Sequence, residues 1–147
     1  KARIMGALGG RAAEDVVFGH SEITTGAGGD IQMVASLARQ MVTQFGMSQL
    51  GPMALEGGNQ EVFLGRDLMT RSDVSDAISK QIDEQVRLIV MKCYEETVVL
   101  VGQHRQAMDK LVEQLIEQET LDGDEFRDVV AEFAEIPEKE RFSPLLA

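Results

Sequence analysis

The sequence predicts a mainly α fold with one long helix, an αα-hairpin and one small β-hairpin. Apolar residues recur at the helical spacing of i, i+3, i+4 and i+7 in several separate segments. Short apolar runs around a flexible turn, which are typical of strands, occur in only one place. The chain has 147 residues, of which 44% are hydrophobic and 27% are charged, as expected for a single soluble globular domain with a real core.

The first predicted helix runs from Ile4 to Val17, where apolar residues recur at every fourth position. It contains three glycines that would weaken an isolated helix, so we expect them to allow close approach of another element. These glycines are Gly6, Gly9 and Gly10. The segment "FGHSEITTGAGG" that follows has the composition of a loop.

A second helix is predicted from Asp30 to about Phe45, with Gly46 as its stop. The next segment, "GPMALEGGNQEVFLG", places short apolar runs on either side of Gly57, Gly58 and Asn59. This pattern predicts the small β-hairpin.

A long helix is predicted over 72–101, with Ser72 or Asp73 as its cap. A further apolar stripe from Met108 to Ile116 predicts another helix, folded back on the long one as an αα-hairpin. Cys93 is the only cysteine and shares an apolar stripe with the long helix's isoleucines, so we expect a buried thiol and no disulfide.

The last helix is predicted from its first turn. Asp122 and Glu125 have capping-box spacing, and the helix should end by Pro137. We therefore expect one domain over residues 1–139 and a mobile tail over 140–147.

The charge of the chain argues against two classes of partner. The formal net charge is -11, which repels nucleic acid and anionic lipid surfaces. No segment has the roughly 20 consecutive apolar residues that span a bilayer, and the first residues do not resemble a signal peptide. We predict a soluble fragment without nucleic-acid or direct membrane contact, whose first residue, Lys1, lies within a longer protein.

The stretch "TTGAGGDIQMV" from Thr24 to Val34 places a lone carboxylate, Asp30, where a helix begins. A phosphate loop is excluded because the Lys and hydroxyl pair of a Walker loop is absent and the acid would repel phosphate. Two alternatives stay open. Asp30 caps the free N–H groups of the helix, or it is one ligand of a metal site.

No complete catalytic site is readable in the chain. His20 and His104 are the only histidines, and neither belongs to an H-E-x-x-H pattern, so both are expected to be solvated residues. Cys93 lies on a core face and no serine occupies a G-x-S-x-G turn, which excludes a nucleophilic dyad.

Several segments resemble, in the same order, the FtsH family of membrane-anchored, ATP-dependent zinc metalloproteases of the AAA+ class. Their sequences are most similar to those of cyanobacterial and chloroplast members. They are "GALGGRAAEDVVFG", "EITTGAGGDI", "ARQMVTQFGMS", "LGPMALE", "EVFLGRD", "DAISKQIDEQV" and "ETLDGDEF". The resemblance runs from Lys1 to about Glu140. Asp15, Gly28 and Gly29 stand where relatives often have other residues.

The resemblance implies that the chain is the C-terminal part of the protease domain, and that the H-E-x-x-H helix lies upstream of it. The acid that closes "TTGAGGD", Asp30, would be the third zinc ligand, and no catalytic residue would lie in this chain. The parent would be a hexameric ring that degrades unfolded or damaged proteins, with ATP and magnesium bound in its AAA+ domain. It would be membrane-anchored, with this domain on the cytoplasmic or stromal side.

Two further expectations depend on that implied zinc site. Glu14 is a candidate partner that orients a ligand histidine, and its alternative role is a surface ion pair with Arg11. The chain alone should be inactive, because two ligands and the general base are absent. The competing hypothesis is a non-catalytic helical module for assembly or docking, in which Asp30 is only a cap.

Overall fold

The computed structural model describes residues 1–55 and 75–135, which form five α-helices and one short 3₁₀ turn. The α-helices are α1 (Ala2–Phe18), α2 (Gly28–Thr43), α3 (Asp76–Gln103), α4 (Arg105–Gln118) and α5 (Gly123–Ala131), and the 3₁₀ turn is His20–Glu22. The prediction of a mainly α fold is confirmed. No strand occurs within the two described ranges, and most of the predicted β-hairpin, including its turn at Gly57, Gly58 and Asn59, lies outside them.

The chain divides into two compact units, Lys1–Leu100 and Val101–Ala147. The first contains α1, the 3₁₀ turn, α2 and most of α3, and the second contains α4 and α5. The predicted αα-hairpin would involve both units, and it stays a prediction. In the described ranges, no helix combines the length and apolar character that crossing a membrane requires.

The core of the first unit joins three helices. Its buried residues are Ile4 and Leu8 from α1, Val34 and Ala38 from α2, and Cys93 from α3. The four-residue spacing of the first two pairs places each pair on one helical face, as the sequence predicted. Full burial of an aliphatic side chain of this size contributes about 1.5–3 kcal/mol. The prediction of a buried, unpaired thiol is also confirmed.

The glycines of α1 do not have the predicted role in the described ranges. A Cβ atom added at Gly6, Gly9 or Gly10 would meet no neighbouring atom of the described residues within 4 Å, so no close approach of another described element requires glycine there. By contrast, Gly46 follows α2 with a φ of 61°, and an added Cβ would lie 2.5 Å from Pro52 Cα. Glycine is therefore required where the sequence predicted the stop of the second helix.

The boundaries of the long helix differ from the prediction. The described part of α3 begins at Asp76, and the Ser75 hydroxyl accepts a hydrogen bond from Ile78 N at 3.4 Å. The predicted caps Ser72 and Asp73 lie outside the described residues. The break after α3 is a single residue, His104, before α4 begins at Arg105.

In the second unit, α5 begins with the predicted capping box. Asp122 Oδ1 accepts hydrogen bonds from Asp124 N at 2.8 Å and from Glu125 N at 2.9 Å. Asp122 N donates to Glu125 Oε2 at 2.9 Å, which completes the reciprocal pair. The helix ends at Ala131, and the predicted stop at Pro137 and the tail over 140–147 lie outside the described residues.

Candidate functional site

Asp30 lies in the first turn of α2 but does not cap it. The helix begins at Gly28, its N-cap is Ala27, and no side chain makes a capping hydrogen bond there. Gly28 N donates to Thr25 O at 3.0 Å and Ile31 N donates to Ala27 O at 3.0 Å, so the two glycines are already helical. The prediction that Asp30 is the cap is therefore wrong, because the small residues before it extend the helix by two positions.

The Asp30 carboxylate is exposed and has no hydrogen-bond or ion-pair partner among the residues that the structure describes. It lies in the first turn of α2, near the N-terminal end of the helix dipole, which attracts negative charge. An ionised carboxylate oxygen is a chemically suitable ligand for zinc. Asp30 therefore fits the role of one zinc ligand, and within residues 1–55 and 75–135 its side chain makes no hydrogen bond or ion pair that metal binding would have to break.

The described residues do not contain the rest of a metal site. Within residues 1–55 and 75–135, no group of three or more His, Cys, Asp or Glu side chains could hold a metal ion. The His20 side chain is 83% exposed and its Nδ1 lies 3.6 Å from Asp15 Oδ1, which confirms that it is solvated. His104 precedes α4 in the second unit. A metal site that uses Asp30 needs ligands from elsewhere.

The loop before α2 is held by Glu14 on α1. Glu14 Oε2 accepts a hydrogen bond from Thr24 N at 3.2 Å, and Glu14 Oε1 accepts one from the Thr24 hydroxyl at 2.5 Å. These two hydrogen bonds lower the pKa of Glu14 below its usual value, and the bond from the hydroxyl has the larger effect. The charge of Arg11 lowers the pKa further by a smaller amount. Glu14 is therefore ionised and engaged with the loop at neutral pH.

Arg11 of α1 binds the same loop residue through its carbonyl oxygen. Arg11 Nη1 donates to Thr24 O at 3.2 Å. Arg11 and Glu14 do not form an ion pair within 4 Å in the described part of the chain, so the predicted surface pair is replaced by two contacts that meet at Thr24. Sequence reasoning did not single out Thr24. The signal that could have found it is the i, i+3 spacing of an arginine and a glutamate, followed by a hydroxyl residue in a glycine-rich loop.

A half-buried hydrogen bond joins α1 to α3. The Tyr94 hydroxyl donates to Asp15 Oδ2 at 2.6 Å, across 79 positions of sequence. Desolvation, followed by this hydrogen bond and the charge of Asp15, raises the pKa of Tyr94 to about 12. Tyr94 therefore remains a protonated donor at neutral pH. No local pattern in the sequence could have predicted this pair.

The comparisons with known proteins agree with the family resemblance. The family model described as Peptidase family M41 matches residues 1–129. The chain is 48% identical over 139 residues to "ATP-dependent zinc metalloprotease FtsH" of Trieres chinensis, which covers 94% of this chain and 22% of that protein. It is 48% identical over 140 residues to "ATP-dependent zinc metalloprotease FTSH 2, chloroplastic" of Arabidopsis thaliana, which covers 95% of this chain and 20% of that protein.

A third relative carries the same description. The chain is 45% identical over 131 residues to "ATP-dependent zinc metalloprotease FtsH" of Cyanidium caldarium, covering 89% of this chain and 21% of that protein. The chain spans about a fifth of the length of the curated relatives that it matches. The predicted resemblance to FtsH, including its chloroplast members, is confirmed.

Proposed function

The chain belongs to peptidase family M41, and on this premise we propose that it is part of an ATP-dependent zinc metalloendopeptidase that degrades unfolded or damaged membrane and soluble proteins. The observation that carries the proposal is the exposed Asp30 carboxylate in the first turn of α2, within the matched residues 1–129. The names of the relatives support both the zinc and the ATP dependence.

The role that we assign to this chain is to supply the third zinc ligand and a helical scaffold. Asp30 would hold the metal together with two histidines of an H-E-x-x-H helix outside residues 1–147, since the two histidines within these residues do not form that pattern. When bound, zinc activates a water molecule by lowering its pKa to about 7. Asp30 would contribute a carboxylate oxygen from the first turn of α2.

The other parts of the proposal concern the longer protein. ATP and magnesium would bind in an AAA+ domain, the protein would assemble as a hexameric ring, and unfolded proteins would be its substrates. A membrane anchor would place this domain on the cytoplasmic or stromal side, in keeping with the chloroplastic relatives. Because the sequence lacks the H-E-x-x-H motif, which would supply two zinc ligands and the general base, we expect the 147-residue chain alone to leave casein uncleaved.

The second candidate function is a non-catalytic helical module for assembly or docking. Exposed apolar side chains on α4 favour it, since Val112, Leu115 and Ile116 are 48%, 43% and 76% exposed at helical spacing. This function is compatible with the first, because subunits of a ring also need apolar surfaces to pack on. The two differ in whether Asp30 is needed for metal.

The test is the zinc content of the full-length protein, measured by elemental analysis after folding has been confirmed by circular dichroism. The protein with Asp30→Asn should hold well below one zinc per chain. Asp76→Asn is the matched control, because Asp76 is an exposed first-turn aspartate of α3, and this variant should hold zinc as the unmodified protein does. Equal zinc content in all three proteins would show that Asp30 is not a zinc ligand. The assembly or docking module would then be the remaining candidate function.

A further inference from the structure

We propose that Glu14 and Arg11 are positioning residues that hold Thr24 and thereby fix the loop that places Asp30 for metal binding. This inference rests on the proposed function, because it assumes that Asp30 is a zinc ligand. It assigns Glu14 a different task from the one that the sequence suggested. Glu14 acts on the loop rather than on a ligand histidine.

The contacts on Thr24 restrain every polar group of that residue. Its N–H and its hydroxyl donate to the two oxygens of Glu14, and its carbonyl accepts from Arg11. Both partners come from α1, where they are three positions apart and so lie on the same face of the helix. A residue held through its N–H, its carbonyl and its side chain cannot rotate about its backbone without breaking one of these bonds.

The restraint extends from Thr24 to the start of α2. Gly26 N donates to the Thr24 hydroxyl oxygen at 3.2 Å, so this hydroxyl bridges the loop backbone and Glu14. A Cβ atom added at Gly26 would lie 3.3 Å from that hydroxyl oxygen, which leaves little room for a larger residue. The next side chain, Ala27, is buried at 9% exposure and leads directly into the helix that carries Asp30.

The helix that supplies the two side chains packs in the core of the first unit. Ile4, Leu8 and Ala12 of α1 are buried, and Tyr94 of α3 binds Asp15, the residue next to Glu14. Glu14 and Arg11 therefore project from a helix that is packed into the core of the first unit. A ligand that is pre-positioned in this way binds a metal without the entropy cost of ordering its loop.

The first experiment measures amide hydrogen exchange in the metal-free 147-residue chain by NMR. Glu14→Ala should speed exchange at the Thr24 and Gly26 amides by roughly three- to tenfold, while buried amides of α3 such as Cys93 keep their rates. Glu95→Ala is the matched control, since Glu95 is an exposed glutamate in a helix interior and should change neither set. Unchanged exchange at Thr24 and Gly26, or an equal increase in α3, would overturn the proposal.

A second pair of variants tests the bridging hydroxyl. Thr24→Val removes the hydroxyl and should speed exchange at Gly26, whereas Thr24→Ser keeps it and should retain the rate of the unmodified chain. Because valine and threonine have nearly the same shape, the difference between Thr24→Val and the unmodified chain reports the hydrogen bonds rather than packing, and Thr24→Ser controls for loss of the methyl group. Equal Gly26 exchange in both variants would count against the bridge.

The last experiment measures zinc affinity in the full-length protein by competition with a chelator. Glu14→Ala should weaken zinc binding about tenfold, in the range found when a group that supports a ligand is removed. Asp30→Asn should weaken it further, and Glu95→Ala should not change it. If Asp30→Asn loses zinc but Glu14→Ala binds as the unmodified protein does, only the positioning role fails. If Asp30→Asn keeps zinc, the proposed function fails, and the positioning of a metal ligand fails with it.

Discussion

Two helix N-termini in this protein use aspartate in opposite ways. At α5, Asp122 is the N-cap, and its carboxylate accepts two backbone N–H groups. At α2, the N-cap is Ala27 without any side-chain capping bond, and Asp30 lies three positions later with its carboxylate unpartnered among the described residues. The first carboxylate is used by the fold, and the second remains available to a ligand.

The backbone explains the difference. Asp122 has φ −80° and ψ 174°, the extended conformation that directs a capping side chain back to the first turn. Ala27 has φ −81° and ψ 10°, so the chain enters α2 from a turn and the geometry for a side-chain cap is absent. The loop that imposes this turn is held by Glu14 and Arg11 through Thr24. The uncapped start of α2 therefore combines an alanine N-cap, which has no side-chain acceptor, with a turn conformation.

The largest expected effect is a difference in zinc affinity between variants of the two aspartates. In the full-length protein, Asp30→Asn should lower zinc affinity by at least about 100-fold, because a charged ligand becomes a neutral amide. Asp122→Asn should leave it unchanged, since Asp122 belongs to the second unit and is used as a cap. Chelator competition on both variants checks this. Loss of zinc from both, without unfolding, would mean that the two aspartates do not differ as the structure indicates.

The next effect concerns stability. Asp122→Ala should lower the melting temperature of α5 by about 3–6 °C, because two N–H groups lose their acceptor. Asp124→Ala is the control in the same turn, since the Asp124 side chain accepts no capping bond and its removal costs only a dipole interaction. Thermal unfolding followed through the amide signals of α5 measures both. Equal shifts would show that charge near the helix end, and not the capping box, stabilises α5.

A smaller effect is the pH dependence of that cap. The hydrogen bonds from Glu125 N and Asp124 N lower the pKa of Asp122 below its usual 3.8. A carboxyl group whose pKa is lower in the folded state stabilises the fold above its unfolded pKa, and this contribution disappears as the pH falls through the folded pKa. The unmodified chain should therefore be more stable than Asp122→Asn at pH 7 and about equally stable at pH 2. A constant difference between the two pH values would contradict this.

The smallest effect tests the backbone explanation directly. Serine is normally preferred over alanine at an N-cap by about 1 kcal/mol. At position 27 we expect Ala27→Ser to stabilise the chain by less than about 0.5 kcal/mol, because ψ near 10° does not aim the hydroxyl at the free N–H groups. Chemical unfolding of the two chains measures the difference. A gain of a full kcal/mol would show that the loop can relax to permit a cap.

Part of the candidate site was predictable and part was not. Asp30 was identified by its place in "TTGAGGD", and Glu14 by its place in the first helix, because both belong to segments that resemble the family. What Glu14 contacts was not predictable, since its partner Thr24 depends on how the chain turns between α1 and α2. The hydrogen bond between Tyr94 and Asp15 was even less predictable, because it joins residues 79 positions apart.

The helices, the buried thiol and the capping box of α5 could be predicted from the sequence alone, since each of these follows from residue spacing within a few turns of the chain. The sequence also determined the family, through ordered segments that extend across most of the chain. Three features became visible only in the folded chain: α2 starts at Gly28 without a side-chain cap, two α1 side chains bind Thr24, and Asp30 makes no hydrogen bond or ion pair with a side chain in the described ranges. These features depend on the packing of α1 against α2 and α3, and such long-range contacts leave no periodic pattern in the sequence.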